Sequence, residues 1–137
     1  MARILVVDDN HDTCELLARI LRRAGHEASC ETSPRDALAH LGSNTPDLVI
    51  LDVMMPEMTG LEVLKALRKE PRTARVAVVV FTALSDDRTR EEARRLGANG
   101  YVVKGTGWPD LHAEIEKHIG PISVGRAGPV RADPMPS

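Results

Sequence analysis

The chain has 137 residues, 42% of them hydrophobic, which is enough for one domain that buries about two thirds of its unfolded surface. Its formal charge at pH 7 is −2, with lysine and arginine mixed among aspartate and glutamate, so we expect no strongly basic face and no direct nucleic-acid partner. The apolar stretch before Asp8 is too short for a signal peptide or a membrane-spanning helix, so we expect a cytoplasmic protein without a membrane partner.

Runs rich in valine, isoleucine and leucine predict the β-strands. They lie at residues 4–7, 48–51, 76–81 and 101–103, with a weaker, polar-flanked run at 27–31. The strong runs are almost continuously apolar rather than alternating. This pattern is typical of parallel strands that are covered on both faces.

Helical patterns lie between these strands. The first is an apolar stripe that stops at Gly25, and the second is a helix that begins at Ser33 and Pro34 and ends at Gly42. Gly60 lets the third helix begin without a side-chain clash, and Ser85 caps a charged fourth helix that closes at Gly97. The last stripe is formed by Leu111, Ile115 and Ile119. Strand and helix therefore alternate five times. This order predicts a doubly wound α/β sandwich.

Unusual polar residues stand where the predicted strands end. Asp8 and Asp9 follow the first strand, Asp52 the third, Thr82 the fourth and Lys104 the fifth. In a doubly wound sheet, ligands bind at the carboxyl ends of the strands, so these side chains are expected to meet there. Carboxylates that lie close together repel one another, and a divalent cation relieves that repulsion. The pattern indicates a site for a metal ion and a phosphoryl group.

Four sequence stretches resemble the receiver domain of two-component response regulators: ILVVDDN, LVILDVMMPEMTG, VVVFTA and GYVVK. The resemblance covers roughly residues 2–119. It implies a flavodoxin-like fold, with a five-stranded parallel sheet in the order 2-1-3-4-5 and five helices. It also implies a phosphorylatable signalling switch rather than an enzyme, although one that assists its own phosphotransfer and dephosphorylation.

The resemblance assigns a role to each site residue. Asp52 is the phosphoacceptor, and Asp52 and Asp9 bind Mg²⁺, or Mn²⁺, directly. Asp8 binds the ion partly through water, and the backbone carbonyl of Met54 supplies another ligand. The set is completed by three residues that contact or sense the phosphoryl group: Thr82 and Lys104, which touch its oxygens, and Tyr101, which with Thr82 acts as the switch.

The same resemblance implies the partners. A sensor histidine kinase or a histidine phosphotransfer protein supplies the phosphoryl group, and a downstream protein binds the face formed by residues 85–119. Two other functions stay open. One is a degenerate receiver that acts as a phosphorylation-independent interaction module, and the other is a flavin or nucleotide carrier on the same fold. The carrier is disfavoured because the loop after the first strand is acidic rather than glycine-rich.

One position departs from the family pattern. The family usually follows the site lysine with proline across a cis bond, but here Gly105 follows Lys104. A cis bond without proline costs about 3–4 kcal/mol, so the sequence predicts a trans or mobile loop. Met54 and Leu84 lie two residues after Asp52 and Thr82, and their apolar bulk is expected to slow hydrolysis of the phosphoryl group.

Two further expectations concern the rest of the chain. Cys14 and Cys30 do not form a metal-binding or redox motif, so we expect both to be reduced packing residues. Residues 1–120 are predicted to form the receiver domain. Residues 121–137 are rich in proline and glycine and are predicted to form a flexible tail, with a linker to an output domain as the alternative.

Overall fold

The computed structural model describes residues 2–105 and 108–120, so the tail predicted for 121–137 lies outside the described residues. Strands and helices alternate along the chain. The strands are β1 (Arg3–Val7), β2 (Glu27–Glu31), β3 (Leu48–Leu51), β4 (Ala77–Thr82) and β5 (Gly100–Val103). The helices are α1 (His11–Arg23), α2 (Pro34–Ser43), α3 (Gly60–Lys69), α4 (Asp87–Arg95) and α5 (Trp108–Ile119). Within the described ranges, no helix is long and apolar enough to cross a bilayer.

The five strands form one parallel sheet in the order β2-β1-β3-β4-β5. This order confirms the predicted fold. In the register of the sheet, Val7 pairs with Leu51. Asp8 and Asp52 are the next residues along β1 and β3, so the fold places them side by side at the carboxyl edge.

Side chains of β1 alternate between two apolar layers that cover the sheet. Ile4 and Val6 face the layer of α1 and α5, where Leu21 and Ile115 are fully buried. Leu5 and Val7 face the layer of α2 and α3. Burying a side chain of this size stabilises the fold by about 1.5–3 kcal/mol, so the two layers hold the strand ends at fixed positions.

Side-chain caps fix where the helices begin. Asn10 caps α1, and Ser33 caps α2 as predicted. The prediction that Ser85 caps α4 is wrong. Asp86 is the cap, and its carboxylate accepts hydrogen bonds from the amide and the hydroxyl of Thr89. The Asp86 carboxylate at this end of α4 also interacts favourably with the helix dipole.

The expectation that both cysteines are reduced is wrong in this structure, because Cys14 and Cys30 form a disulfide. Their Cα atoms lie 5.7 Å apart, a separation typical of disulfides. Cys30 is paired with Val6 in the sheet, and Cys14 is one helical turn into α1, which packs over β1. The fold brings the two residues together although their spacing matches no motif.

Candidate functional site

Three carboxylates meet at the carboxyl edge of the sheet. Asp8 is 2% exposed and Asp52 is 4% exposed, whereas Asp9 is open to solvent. One oxygen from each carboxylate lies within 4.8 Å of the others. The structure therefore brings together the acids that the sequence singles out.

Asp8 is held by hydrogen bonds on both of its oxygens. The Asn10 amide donates to Oδ1 at 2.9 Å, and Nζ of Lys104 donates to Oδ2 at 2.6 Å. Burial raises the pKa of Asp8, helped by the negative charge of Asp52 and opposed by the two hydrogen bonds. The carboxylate is thus costly to ionise unless positive charge lies close to it.

Asp52 has a similar pair of donors. The Met54 amide donates to Oδ1 at 3.1 Å, and Lys104 donates to Oδ2 at 3.1 Å. Burial acts to lower the pKa of Lys104, but its hydrogen bonds to Asp8 and Asp52, together with their charge, raise it. Lys104 is therefore a cation that contacts both buried carboxylates and offsets part of their negative charge.

The loop after Lys104 reaches the site without proline. Gly105 has φ of +100°, and no cis peptide occurs among the described residues, which agrees with the trans alternative of the two that the sequence left open. Such a positive φ is accessible to glycine and closed to proline. The Lys104 amide donates to the Thr82 carbonyl at 2.7 Å, so the backbone is fixed up to the turn.

The loop between Asp52 and α3 folds tightly against the site. The Met55 amide donates to the Val53 carbonyl at 3.1 Å, and the Met58 amide donates to the Pro56 carbonyl at 2.7 Å. Glu57, between the last two, has φ of +72°, a conformation that costs free energy for a residue with a side chain.

Gly60 lies directly against the backbone of Asp52. A Cβ at this position would lie 2.0 Å from the Asp52 carbonyl oxygen, so only glycine fits. This contact confirms the predicted role of Gly60 at the start of α3.

Thr82 and Tyr101 are connected to each other through Leu84. The Thr82 hydroxyl is fully buried and accepts a hydrogen bond from the Leu84 amide at 3.4 Å. The Tyr101 hydroxyl donates to the Leu84 carbonyl at 2.8 Å. The two predicted switch residues thus share one intermediate residue.

Sequence reasoning missed Leu84 as this connection and Phe81 as a neighbour of the site. The ring centroid of Phe81 lies 5.8 Å from the ammonium of Lys104. Backbone acceptors leave no trace in a sequence pattern, so Leu84 could not have been found that way. Phe81 could have been found, because it is the one phenylalanine of the chain and directly precedes Thr82.

The donor set fits a small divalent cation. Three carboxylates with oxygens within 4.8 Å of one another are hard oxygen ligands, and the exposure of Asp9 leaves a side open for water and phosphate. Mg²⁺ prefers such sites, in which a few carboxylates bind the ion and water completes the shell. Mn²⁺ accepts the same ligands.

Comparisons with known proteins agree with this geometry. The family model described as the response regulator receiver domain matches residues 4–116. The regulatory protein AtoC of Escherichia coli K12 is 34% identical over 117 residues, which are 85% of this chain and 25% of AtoC. This chain spans between about a quarter and a half of the length of the first curated relatives it matches.

Solved structures share the fold. Chemotaxis protein CheY4 of Vibrio cholerae superposes with a TM-score of 0.81 at 30% identity, over 86% of this chain and 98% of that one. The Mn²⁺-bound form of response regulator Rcp1 gives a TM-score of 0.73 at 25% identity, over 85% and 91% of the two chains. The chain belongs to the receiver domains of two-component response regulators, a family of signalling domains.

Proposed function

We propose that Asp52 accepts a phosphoryl group, in a reaction that depends on a divalent cation, and that its phosphorylation changes a protein-binding face. The observation that carries this proposal is the position of the Asp52 carboxylate. It is buried, it lies beside Asp8 and Asp9, and Lys104 donates to one of its oxygens. Membership of the family supports a histidine kinase, or a histidine phosphotransfer protein, as the donor.

In the proposed step, a carboxylate oxygen of Asp52 attacks phosphorus and the bond from phosphorus to the donor's leaving group breaks. The barrier to bringing one anion to another is lowered by fixed positive charge and by accurate placement, which supply most of the catalysis in phosphoryl transfer. Among the residues that the structure describes, Lys104 provides a positive charge in contact with Asp52. Its contact with Asp52 also supports phosphorylation over the degenerate alternative, which rested on the altered loop.

Asp8, Asp9 and Asp52 would hold the divalent cation, with the Met54 backbone carbonyl as a further ligand. A bound Mg²⁺ or Mn²⁺ supplies charge that offsets both the carboxylates and the incoming phosphoryl oxygens. The Mn²⁺-bound structure of Rcp1 supports the same metal class here.

Phosphorylation leaves Asp52 with about two negative charges, which is a large perturbation in a small buried site. We infer that the Thr82 hydroxyl turns toward the new oxygens and that Tyr101 responds. The affected surface is the one built from α4, β5 and α5, within residues 85–119. A modification shifts a two-state equilibrium only through contacts that differ between the states, and Thr82 and Lys104 provide those contacts.

The test is incubation with Mg²⁺ and a small-molecule phosphodonor, followed by mass measurement of the intact protein. The proposal expects the added mass of one phosphoryl group, which Asp52→Asn abolishes. Asp47→Asn is the matched control, since Asp47 is a carboxylate at the opposite end of β3 that accepts a hydrogen bond from the Arg3 amide. A folded wild-type sample that acquires no phosphoryl group would instead establish the degenerate receiver.

Hydrolysis of the phosphoryl group is a second part of the proposal. Met54 is 51% exposed beside Asp52, whereas Leu84 packs partly into the cluster of Val53, Val80 and Ala93. An apolar side chain at the mouth of the site excludes the attacking water. We therefore expect Met54→Asn to shorten the phosphoryl lifetime more than Leu84→Asn does, as measured by loss of the added mass after the donor is removed.

We also propose that residues 1–120 make up the receiver unit and that 121–137 extend from it. Limited proteolysis followed by mass measurement tests this division. A stable fragment that ends near residue 120 is expected, and cleavage within α5 before the tail is removed would contradict it.

A further inference from the structure

The hydroxyl and the ring face of Tyr101 are each contacted by a residue from another part of the fold. Its hydroxyl donates to the Leu84 carbonyl, in the loop that precedes α4, at 2.8 Å. The guanidinium carbon of Arg90, on α4, lies 4.6 Å from the centroid of the Tyr101 ring. The ring is thus covered by a cation while its hydroxyl is held by a backbone acceptor.

We propose that Arg90 is a positioning residue for Tyr101, whose guanidinium keeps the ring in the orientation in which the hydroxyl reaches Leu84. This inference rests on the proposed function, since it concerns the residue assigned there to the switch. An arginine over an aromatic ring is attracted by the negative face of the ring. Arginine suits this position because its planar, weakly hydrated head can lie flat on the ring and keeps its charge at any physiological pH.

The ring has space to move into when it is not held. A groove of about 240 Å³, half open to solvent, lies between α4 and β5 and is bordered by both Arg90 and Tyr101. Tyr101 is only partly buried, in an apolar cluster with Val53 and Ala93. Packing alone therefore leaves other orientations open, and the contact with Arg90 selects among them.

The same contacts join Tyr101 to the site. Thr82 accepts from the Leu84 amide, and Tyr101 donates to the Leu84 carbonyl. When the Thr82 hydroxyl turns to phosphoryl oxygens, the Leu84 amide loses its acceptor and the peptide is free to shift. Because Arg90 is on α4 and stacks on Tyr101, movement of the ring is passed to the exposed surface of that helix.

Charges around the phenol support this arrangement. Burial raises the pKa of Tyr101, Arg90 lowers it, and the negative charges of Asp86 and Asp52 raise it further. The guanidinium and the Asp52 carboxylate thus act on the phenol in opposite directions. The lowering of the phenol pKa by Arg90 fits the position of its guanidinium over the ring.

The test uses the fact that Tyr101 is the only tyrosine in the chain, so its ring gives one set of tyrosine NMR signals and its phenol is the one that ionises in an ultraviolet titration. The protein is compared with Arg90→Gln, Arg90→Lys and Arg88→Gln, all without a phosphodonor. Arg88→Gln is the matched control because Arg88 is an exposed arginine of the same helix and its removal changes the net charge equally. Circular dichroism checks that each variant is folded.

We expect the wild type and Arg88→Gln to show one χ1 rotamer of Tyr101 and ring contacts to Leu84. Arg90→Gln loses the single rotamer, and its phenol pKa falls toward the ordinary value as the ring becomes solvated. Arg90→Lys keeps part of the wild-type pattern. If Arg90→Gln retains the rotamer and its phenol pKa rises, because only the charge of the guanidinium has been lost, Arg90 does not position the ring.

This outcome is independent of phosphorylation. The rotamer is measured in the unphosphorylated protein, whereas the proposed function is tested by the added mass on the wild type. Failure of the rotamer experiment leaves Asp52 as the acceptor. Failure of phosphorylation leaves the contact between Arg90 and Tyr101 intact but removes its signalling role.

Discussion

Nζ of Lys104 lies 2.6 Å from Oδ2 of Asp8, although 96 residues separate them in sequence. The same nitrogen lies 3.1 Å from Asp52. Lys104 therefore offsets part of the negative charge that a divalent cation would also offset. Both cations act on one small cluster of negative charge, so the effect of one on stability depends on the other.

Lys104→Met is expected to destabilise the metal-free protein by about 1–3 kcal/mol, because two buried carboxylates lose a hydrogen-bonded cation. Mg²⁺ should then restore more stability in the variant than it adds to the wild type, since it binds a cluster with less positive charge. Urea unfolding with chelator and with Mg²⁺ measures both effects. Lys65→Met, on the exposed face of α3, is the control. Equal Mg²⁺ stabilisation of Lys104→Met and wild type would contradict this prediction.

Asp8 is expected to make the stability of the metal-free protein fall as the pH rises above 3.8. Its pKa is raised from that ordinary value in the folded protein, mainly by burial. At a pH between its unfolded and folded pKa values, the Asp8 carboxyl is ionised in the unfolded chain and protonated in the folded protein, so rising pH favours unfolding. Above the folded pKa the loss is complete and constant.

Asp8→Asn removes that dependence. The difference in unfolding free energy between Asp8→Asn and wild type should grow in favour of the variant as the pH rises from 3.8, and then level off. Urea unfolding in chelator across this range measures the difference, in which the contributions of other groups largely cancel. A difference that stays constant with pH would show that the Asp8 carboxyl titrates alike in the folded and unfolded states.

The sequence was sufficient to predict the sheet and the residues at its edge. Continuous apolar runs separated by helical stripes are properties of neighbouring residues, and the strand ends follow from them. The contact of Lys104 with Asp8 was only implied, because it depends on how strands that are not neighbours in the sheet direct their side chains. The disulfide of Cys14 and Cys30 was missed for a similar reason, as its two residues meet only through the packing of α1 on β1.

Reduction of the disulfide is expected to lower the free energy of unfolding by about 3 kcal/mol. Its two cysteines are 16 residues apart, and closing a loop of that size removes entropy from the unfolded chain. Urea unfolding with and without a dithiol reductant measures the change, and Cys30→Ala should be insensitive to the reductant. Two free thiols in the denatured, non-reduced protein would show that the bond does not form in solution.

Gly60→Ala is expected to destabilise the protein by about 2–3 kcal/mol, because the new Cβ overlaps the Asp52 carbonyl oxygen and the backbone of the site must shift. Gly42→Ala is the matched control. It lies in the last turn of α2, and a Cβ added there meets no neighbouring group of the described part of the chain within 4 Å. Alanine there should add about 0.5–1 kcal/mol of stability. The two substitutions should change the free energy of unfolding, measured in urea, in opposite directions. An unchanged free energy of unfolding in Gly60→Ala would mean that α3 moves freely relative to Asp52.

Gly105 stands where the family usually has proline, and we expect its turn to direct Lys104 toward Asp52. Its φ of +100° can be adopted by alanine only at a cost of about 1–2 kcal/mol. Among the described residues, no atom outside the adjoining ones lies within 4 Å of an added Cβ. Gly105→Ala should therefore lose some stability while Lys104 still reaches Asp52. Gly105→Pro cannot adopt this φ at all, so the turn must rearrange and the ammonium is displaced.

The two Gly105 variants separate the cost of the backbone from the placement of the lysine. A displacement of about 1 Å at a reacting group can slow a reaction roughly 100-fold, so Gly105→Pro should reduce the rate of Asp52 phosphorylation by about 10–100-fold. Gly105→Ala should stay within a few-fold of wild type. Time courses of the added phosphoryl mass measure both rates. If Gly105→Pro phosphorylates as fast as the wild type or faster, the positive φ of Gly105 is not what places the Lys104 ammonium beside Asp52.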